Sequence, residues 1–364
     1  MDKFAFIIHP IYHSDIIKKF PFLKALPENI LEKTFGRLPP FKVSNIEGVE
    51  SPHNQIEGCF VACPLSSNQI LNLPQDYVIK KIIKAGKKAE ELGAQVVGLG
   101  ALTSVVGDAG VTVAKNLNIP VTTGNSYTVA TAIEGVKSAC QMMDFDHSEA
   151  HVAVLGASGS IGKVIAKKFA RESRWLTLLG RDKDKLETVS KEIYNESGMA
   201  AKVTNQIKKN ISEADIVFAV TGAADAVISG EELKPGAIVC DVARPRDVSW
   251  RVAQSRDDVL VIEGGIVEIP GDVEFNFNFG FPPKTAYACM AETMILALEK
   301  KYESFSLGRD LSLDKVEQIS RLAEKHNFRL AGFRSFEKAV SKETVDQIKQ
   351  NAMRKRIKFS TSKV

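Results

Sequence analysis

Nowhere does this sequence hold an apolar run long enough to cross a membrane; its hydrophobic stretches are short and broken by glycine or charge. The N-terminus, MDKFAFIIHPIYHSDIIKKF, carries an early acid and no small-residue cleavage site, which argues against a signal peptide. Cysteine is scarce. Cys59, Cys63, Cys140, Cys240 and Cys289 are odd in number and scattered, which excludes a disulfide scaffold and points to a reducing, cytoplasmic compartment. Cys59 and Cys63 form a lone C-x-x-x-C without a second pair, so no metal site is expected. An excess of one charge is missing too: 48 basic against 44 acidic residues leave a mild +4, and no nucleic-acid partner is expected. Repeats and low-complexity segments are absent. What remains is a 364-residue chain with 44% hydrophobic and 25% charged residues, an ordinary globular composition with length enough for two domains.

The chain is organised around HVAVLGASGSIGKVIAKKF, His151 to Phe169. Val152–Leu155 read as a buried parallel strand, and Ile161, Val164, Ile165 and Phe169 recur at helical spacing. Between them lies Gly156-Ala157-Ser158-Gly159-Ser160-Ile161-Gly162, the strand–turn–helix context of a dinucleotide-binding fingerprint. Gly156 allows the tight turn, Gly159 the close approach of a pyrophosphate, and Gly162 close helix–strand packing. The competing reading is a purely structural βα turn.

The predicted fold class is α/β. Residues 1–148 read as an N-terminal α/β substrate and catalytic domain, with strands at Phe4–His9, around Gly58–Val61, at Gln95–Leu99 and at Ile119–Thr123, and helices at Tyr77–Leu92, Ala109–Leu117 and Tyr127–Met143. The polar stretch Asp144–Glu149 is the expected boundary. Residues 149–282 read as a Rossmann-type, doubly wound parallel sheet with strands at Leu176–Leu179, Ile216–Val220, Ile238–Asp241 and Val259–Glu263. Residues 283–364 read as a helical segment packing back on the N-terminal domain and ending in a solvated basic tail with Arg354, Lys355, Arg356, Lys358 and Lys363.

The cofactor type turns on the end of the strand WLTLL. Arg181 is the first charge there, with Lys183 close behind, and such bases suit the 2′-phosphate of NADPH. Asp182 keeps NAD open, because a carboxylate there would hold a ribose hydroxyl. Thr221-Gly222 and Gly264-Gly265, at later strand ends, are expected to border the cofactor or else to serve as plain turns.

Several motifs also carry a family resemblance. Ala214–Val217, Thr221–Ala223 and Asp241–Asp247 (DVARPRD) resemble the nucleotide domain shared by glutamyl-tRNA reductases and shikimate dehydrogenases. Gly58–Phe60, LGALTSVVGDAG at Leu99–Gly110, TTGNSYTVA at Thr122–Ala130, EGGIVE at Glu263–Glu268 and AYACMAETM at Ala286–Met294 resemble long-chain acyl-(acyl-carrier-protein) reductases. SFSLGRDLSLDKVE and AEKHNF extend that resemblance to Phe328. It implies NADPH-dependent reduction of an acyl thioester, on acyl carrier protein or coenzyme A, to a fatty aldehyde, with Cys289 taking the acyl group. The segment Cys63–Ser67, the residue Tyr127 and a longer C-terminal extension depart from the family pattern.

Around that assignment, residue chemistry leaves alternatives. Glu292, three residues on, shares the helix face of Cys289 and would relay a proton or, as an anion, raise the thiol pKa. A helix starting at Pro282-Pro283 would favour the thiolate only modestly, two turns away. Asn125, with Ser126 and Thr128, is read either as an oxyanion donor or as an ordinary N-terminal cap; Thr103 and Ser104 invite the same pair of readings. Cys59 is the rival nucleophile. Tyr77 and Lys81 form a Y-x-x-x-K that is discounted because it precedes the glycines. The face Lys80, Lys81, Lys84, Lys87 and Lys88 would dock an acidic carrier protein or be merely solvated. A shikimate/quinate-type dehydrogenase and an NADP(H)-binding sensor without turnover are the alternative functions.

Overall fold

Phe4–Ile7 are buried without alternation because their strand is the centre of a sheet covered on both faces. This computed structural model describes residues 1–10, 16–17, 20, 24, 27–223, 226–243, 246–278, 280–336 and 338–361. Arg244 and Pro245 of the DVARPRD motif and Lys363 of the basic tail lie outside the described residues. The chain divides into two units. The first comprises Met1–Tyr127, Val267–Leu311 and Lys315–Arg329; the second comprises Thr128–Ile266, Ser312–Asp314 and Leu330–Val364.

The sheet of the first unit has the order β2-β3-β1-β4-β5. Its strands are β1 (Asp2–Ile8), β2 (Phe41–Glu50), β3 (Gln55–Ala62), β4 (Val96–Leu99) and β5 (Val121–Thr122). β1 runs parallel to β3 and β4, β4 parallel to β5, and only β2 is antiparallel. β2 escaped prediction for a physical reason: two register irregularities, at Lys42/Ser44 and Ile46/Val49, break its alternation. The helices used below are α1 (Gln75–Glu91), α2 (Asn125–Met142), α3 (Ser160–Phe169), α4 (Lys183–Ser197), α5 (Ala288–Leu298), α6 (Leu313–Lys325) and α7 (Lys342–Thr361). Val78, Ile82, Ala85 and Ala89 of α1 close one face of the sheet over Ala5, Ile7, Val61, Val97 and Leu99. α5 packs on β1 and β4. There Gly98 gives the helix room, since a Cβ at this position would lie 2.1 Å from Thr293 Oγ1.

The sheet of the second unit has the order β11-β10-β9-β6-β7-β8 with every pairing parallel. Its strands are β6 (His151–Leu155), β7 (Trp175–Leu179), β8 (Lys202–Thr204), β9 (Ile216–Ala219), β10 (Ile238–Asp241) and β11 (Leu260–Glu263). This is the doubly wound dinucleotide-binding order, and it reverses direction at β6/β9, where such sheets open a ligand crevice. The α/β class with a Rossmann-type sheet is therefore observed.

The unit boundaries differ from those expected. The division falls within α2, after Tyr127, and Asp144–Glu149 is only the turn between α2 and β6. The final segment is not helical throughout: Arg329–Leu330, Phe333–Ser335 and Lys338–Val340 are short strands. From Leu330 onward it belongs to the second unit. Its basic residues are not all solvated either, because the Asp257-Asp258 turn offers them carboxylates. Lys355 pairs with Asp257 and Asp258 at 2.7 and 2.8 Å, and Arg356 Nε donates to the Pro235 carbonyl. Among the described residues no helix is long and apolar enough to cross a membrane.

Candidate active site

Ligands of parallel sheets gather beyond the carboxyl ends of the strands. In the first unit that edge brings β5 and the start of α5 together. Gly124 follows β5 with φ +74°, and a Cβ there would lie 2.3 Å from Cys289 Cα. The TTGN turn and the cysteine therefore meet backbone to backbone. Thr285–Tyr287 is extended, so α5 begins at Ala288 and not near Pro282-Pro283. Cys289 thus stands in the first turn of an 11-residue helix whose N-cap, Tyr287, makes no side-chain cap hydrogen bond. The positive end of the helix dipole at that position favours a negative charge. This corrects the two-turn separation expected from sequence.

The other cysteines lack such a setting. None of the five is in a disulfide, and only Cys289 is partly exposed. Burial raises the Cys59 thiol, and pushes Cys63 and Cys140 up to about 12. Cys240 lies fully buried in β10.

Asn125 opens α2 directly after Gly124 and is 8% exposed, and its side chain has no hydrogen-bond partner among the described residues. An unpaired, nearly buried amide beside the cysteine is the geometry of a donor awaiting an acceptor. Ser126 is spent elsewhere: its N–H donates to Ser306 Oγ at 3.2 Å and its hydroxyl accepts from that same group at 2.6 Å. Thr103 and Ser104 likewise donate to the Gly100 and Ala101 carbonyls of their own turn.

Glu292 is fully buried. Its carboxyl accepts from the Thr122 hydroxyl and, at 2.8 Å, from the Tyr127 N–H in the first turn of α2. Burial pushes this carboxyl up, against the lowering effect of its Thr122, Tyr127 and Ser306 hydrogen bonds and of Lys315. The side chain that sequence placed on the cysteine's helix face is thus tied to the start of the neighbouring helix. His9, which sequence reasoning passed over, lies at the end of β1; its Nε2 accepts from the Leu102 N–H at 3.2 Å and holds the turn after β4. Tyr77 is exposed, and Lys81 donates to the Gly36 and Leu38 carbonyls.

In the second unit the glycine turn has the shape of a phosphate cradle. Gly156 has φ +92°, and a Cβ on it would lie 2.7 Å from the Val220 carbonyl oxygen. At Gly162 a Cβ would meet the Gly156 carbonyl oxygen at 2.3 Å. Ala157 is buried beneath the turn, Ser158 and Gly159 are exposed, and Ser160 and Ile161 open α3 half-buried. Gly159 is the N-cap of α3 and supplies no side-chain cap, so the first-turn N–H groups are left for an anion. Arg181 and Lys183 are exposed and make no ion pair among the described residues. Asp182, by contrast, caps α4 through the Lys185 N–H and pairs with the Lys185 ammonium at 2.9 Å. The acid that kept NAD open is occupied, while the bases that suit a 2′-phosphate are free. Gly222 faces open space, with no heavy atom within 4 Å of an added Cβ. Thr221 donates its N–H and hydroxyl to Asp247 instead of presenting them outward. At Gly264 a Cβ would meet Val242 Cγ2 at 2.8 Å, and Gly265 has φ +83°, so packing and turn geometry account for this pair.

Fold and site together define the class of the NAD(P)-dependent oxidoreductases, and the cradle with its free bases fits NADPH as the cofactor. The Shikimate / quinate 5-dehydrogenase family profile matches residues 137–263, that is, the nucleotide unit. Two curated relatives cover more of the chain. It is 30% identical over 96% of its length to the aminotransferase PigE of a Serratia species, and 25% identical over 75% of its length to the long-chain acyl-[acyl-carrier-protein] reductase of Synechococcus elongatus. The chain spans 42% of the Serratia protein and 81% of the Synechococcus one. Among solved structures, the A chain of dipicolinate synthase from Bacillus subtilis overlaps 72% of this chain and 88% of its own at 17% identity and a TM-score of 0.35, too slight a likeness to bear on function.

Proposed function

We propose that this chain reduces an acyl thioester, carried on acyl carrier protein or coenzyme A, to the aldehyde through an acyl-Cys289 intermediate. The observation that carries this reading is the one partly exposed thiol in an uncapped helix start, packed on Gly124 and next to the unpaired Asn125 amide. The Cys289 thiolate attacks the thioester carbonyl, Asn125 donates to the developing oxyanion, and the carrier thiol leaves with a proton from solvent. The product is again a thioester, so the exchange is nearly isoenergetic. NADPH, when bound, supplies the hydride that brings the acyl carbon to the aldehyde level. Collapse of the resulting hemithioacetal expels the Cys289 thiolate and frees the aldehyde. Glu292 serves here as a positioning residue, tying the start of α2, and with it Asn125, to the cysteine's helix.

The activity in the matched family's name does not displace this reading, because the match ends at residue 263 and leaves Cys289 outside. The aminotransferase name belongs to a protein of which this chain matches less than half. Incubation with NADPH and acyl-coenzyme A or acyl-carrier-protein tests the proposal: aldehyde appears in step with NADPH loss. Cofactor binding without consumption would favour the sensor, and turnover of a small cyclic alcohol the shikimate-type enzyme.

Two predictions belong here. Arg181→Ala weakens NADPH binding about tenfold and leaves NADH binding unchanged, as loss of one charge-assisted phosphate contact requires; fluorescence titration of both cofactors reads it. On α1, Lys81 and Lys88 are engaged, the latter with Glu91 at 3.0 Å, whereas Lys80, Lys84 and Lys87 are exposed and unpaired among the described residues. An acidic carrier protein would meet that stripe. Reversing all three to Glu raises KM for carrier-bound substrate about tenfold, an electrostatic effect absent for the coenzyme A thioester.

A further inference from the structure

The segment after β10 carries two buried carboxylates that the reduction chemistry leaves unused. Asp241, at the end of β10, is 1% exposed and accepts the N–H groups of Ala243, Asp247 and Val248 at 3.2, 3.3 and 3.0 Å. It thereby fixes the loop on which Asp247 sits. Asp247 has no exposed surface at all. Its Oδ2 accepts the Thr221 N–H at 2.6 Å and its Oδ1 the Thr221 hydroxyl, while the Ala223 N–H donates to that hydroxyl oxygen at 3.1 Å. The backbone carbonyl of Asp247 takes the Val227 and Ile228 N–H groups at 2.7 and 3.0 Å. Asp247 thus grips the Thr221–Ala223 turn at its start and holds the chain again just beyond it.

That turn abuts the first cofactor glycine. A Cβ on Gly156 would lie 2.7 Å from the Val220 oxygen and 3.1 Å from the Thr221 nitrogen. The two turns therefore share one wall, and Gly222 opens onto free space beside them.

We infer that Asp247 is a positioning residue for the cofactor: it locks the Thr221–Ala223 turn against the glycine turn, without touching the dinucleotide itself. Being fully enclosed, it acts only through Thr221. Removing its carboxyl leaves a backbone N–H and a hydroxyl without their acceptor in a site of low exposure, and the turn loses its fixed place.

The test is NADPH binding to the full chain, read by the cofactor's own fluorescence with no turnover. Asp247→Ala weakens binding about tenfold, the equivalent of about one lost hydrogen bond to a charged group. It also speeds amide exchange at residues 221–223 in the cofactor-free protein, and leaves alkylation of Cys289 unchanged. Asp247→Asn restores binding to within about threefold of the parent, since its amide oxygen accepts the Thr221 N–H and its amide group donates to the Thr221 hydroxyl. Binding by folded Asp247→Ala within about twofold of the parent, or no recovery in Asp247→Asn, overturns the inference. Should Asp247→Ala not fold, Thr221→Ala removes one of the two grips and weakens NADPH binding about threefold; unchanged binding there overturns the inference equally.

Discussion

Cys289→Ala is expected to abolish the acyl-enzyme and to lower aldehyde formation by about 10³-fold or more, the usual cost of removing the nucleophile from a covalent mechanism. Trapping with a radiolabelled acyl thioester in the absence of NADPH reads the first effect, and steady-state aldehyde production the second. Cys289→Ser retains a nucleophilic atom, yet its hydroxyl gains far less than a thiol from the start of α5 and should be nearly as inactive. Cys59→Ala separates the rival cysteine. Burial raises that thiol, so its loss leaves acylation intact. Alkylation mapping adds an independent check. At neutral pH a single modified cysteine, Cys289, is expected, because the other four are buried. Aldehyde formation by Cys289→Ala near the parent rate would sink the mechanism.

The second large effect concerns Glu292. Glu292→Ala leaves the Tyr127 N–H and the Thr122 hydroxyl without their acceptor in a buried space, and is expected to cost about 2–5 kcal/mol of stability. Glu292→Gln keeps shape and hydrogen-bonding capacity and removes only the charge. The two forms respond differently to pH. Desolvation by burial holds the folded-state carboxyl above the ordinary carboxylate range. Between the ordinary value and the raised one, the folded state binds more protons than the unfolded state, so stability falls as pH rises through that window. Glu292→Gln lacks this slope and gains on the parent as pH climbs past the carboxylate range. Urea midpoints at several pH values measure it; parallel curves for the two proteins would refute the assignment of a raised carboxyl.

Much of the fold was legible because its signals are short-range. The glycine spacing at 156, 159 and 162 and the apolar runs at β6, β7, β9 and β10 are set by neighbours in sequence, and the strands lie where those runs place them. Other features needed distant contacts. β2 hid behind its irregular register. The last stretch reads as helix, yet Phe333–Ser335 and Lys338–Val340 pair with each other as an antiparallel two-stranded sheet, each strand too short to show an alternation. For the site, Cys289 could be singled out only by resemblance, since its local sequence does not distinguish it from Cys140. Asn125 reads equally as cap and as donor, because burial and side-chain partners depend on contacts that the local sequence does not encode. His9 gave no signal that separates it from any other polar residue at a strand end, and Asp247 none beyond its place in the DVARPRD motif.

The sequence by itself determined that a glycine turn joins a buried strand to a helix, where it starts, and that bases and not a lone acid follow the second strand. Those properties depend on residues within about one βα unit of each other. Only the tertiary structure decided that α5 begins at Ala288, that Asp182 is consumed as a cap, and that Glu292 belongs to the start of α2. The reason is contact across the chain. Gly124 meets Cys289, Thr122 and Tyr127 meet Glu292, and Thr221 meets Asp247, pairs whose burial and hydrogen bonding no local pattern encodes.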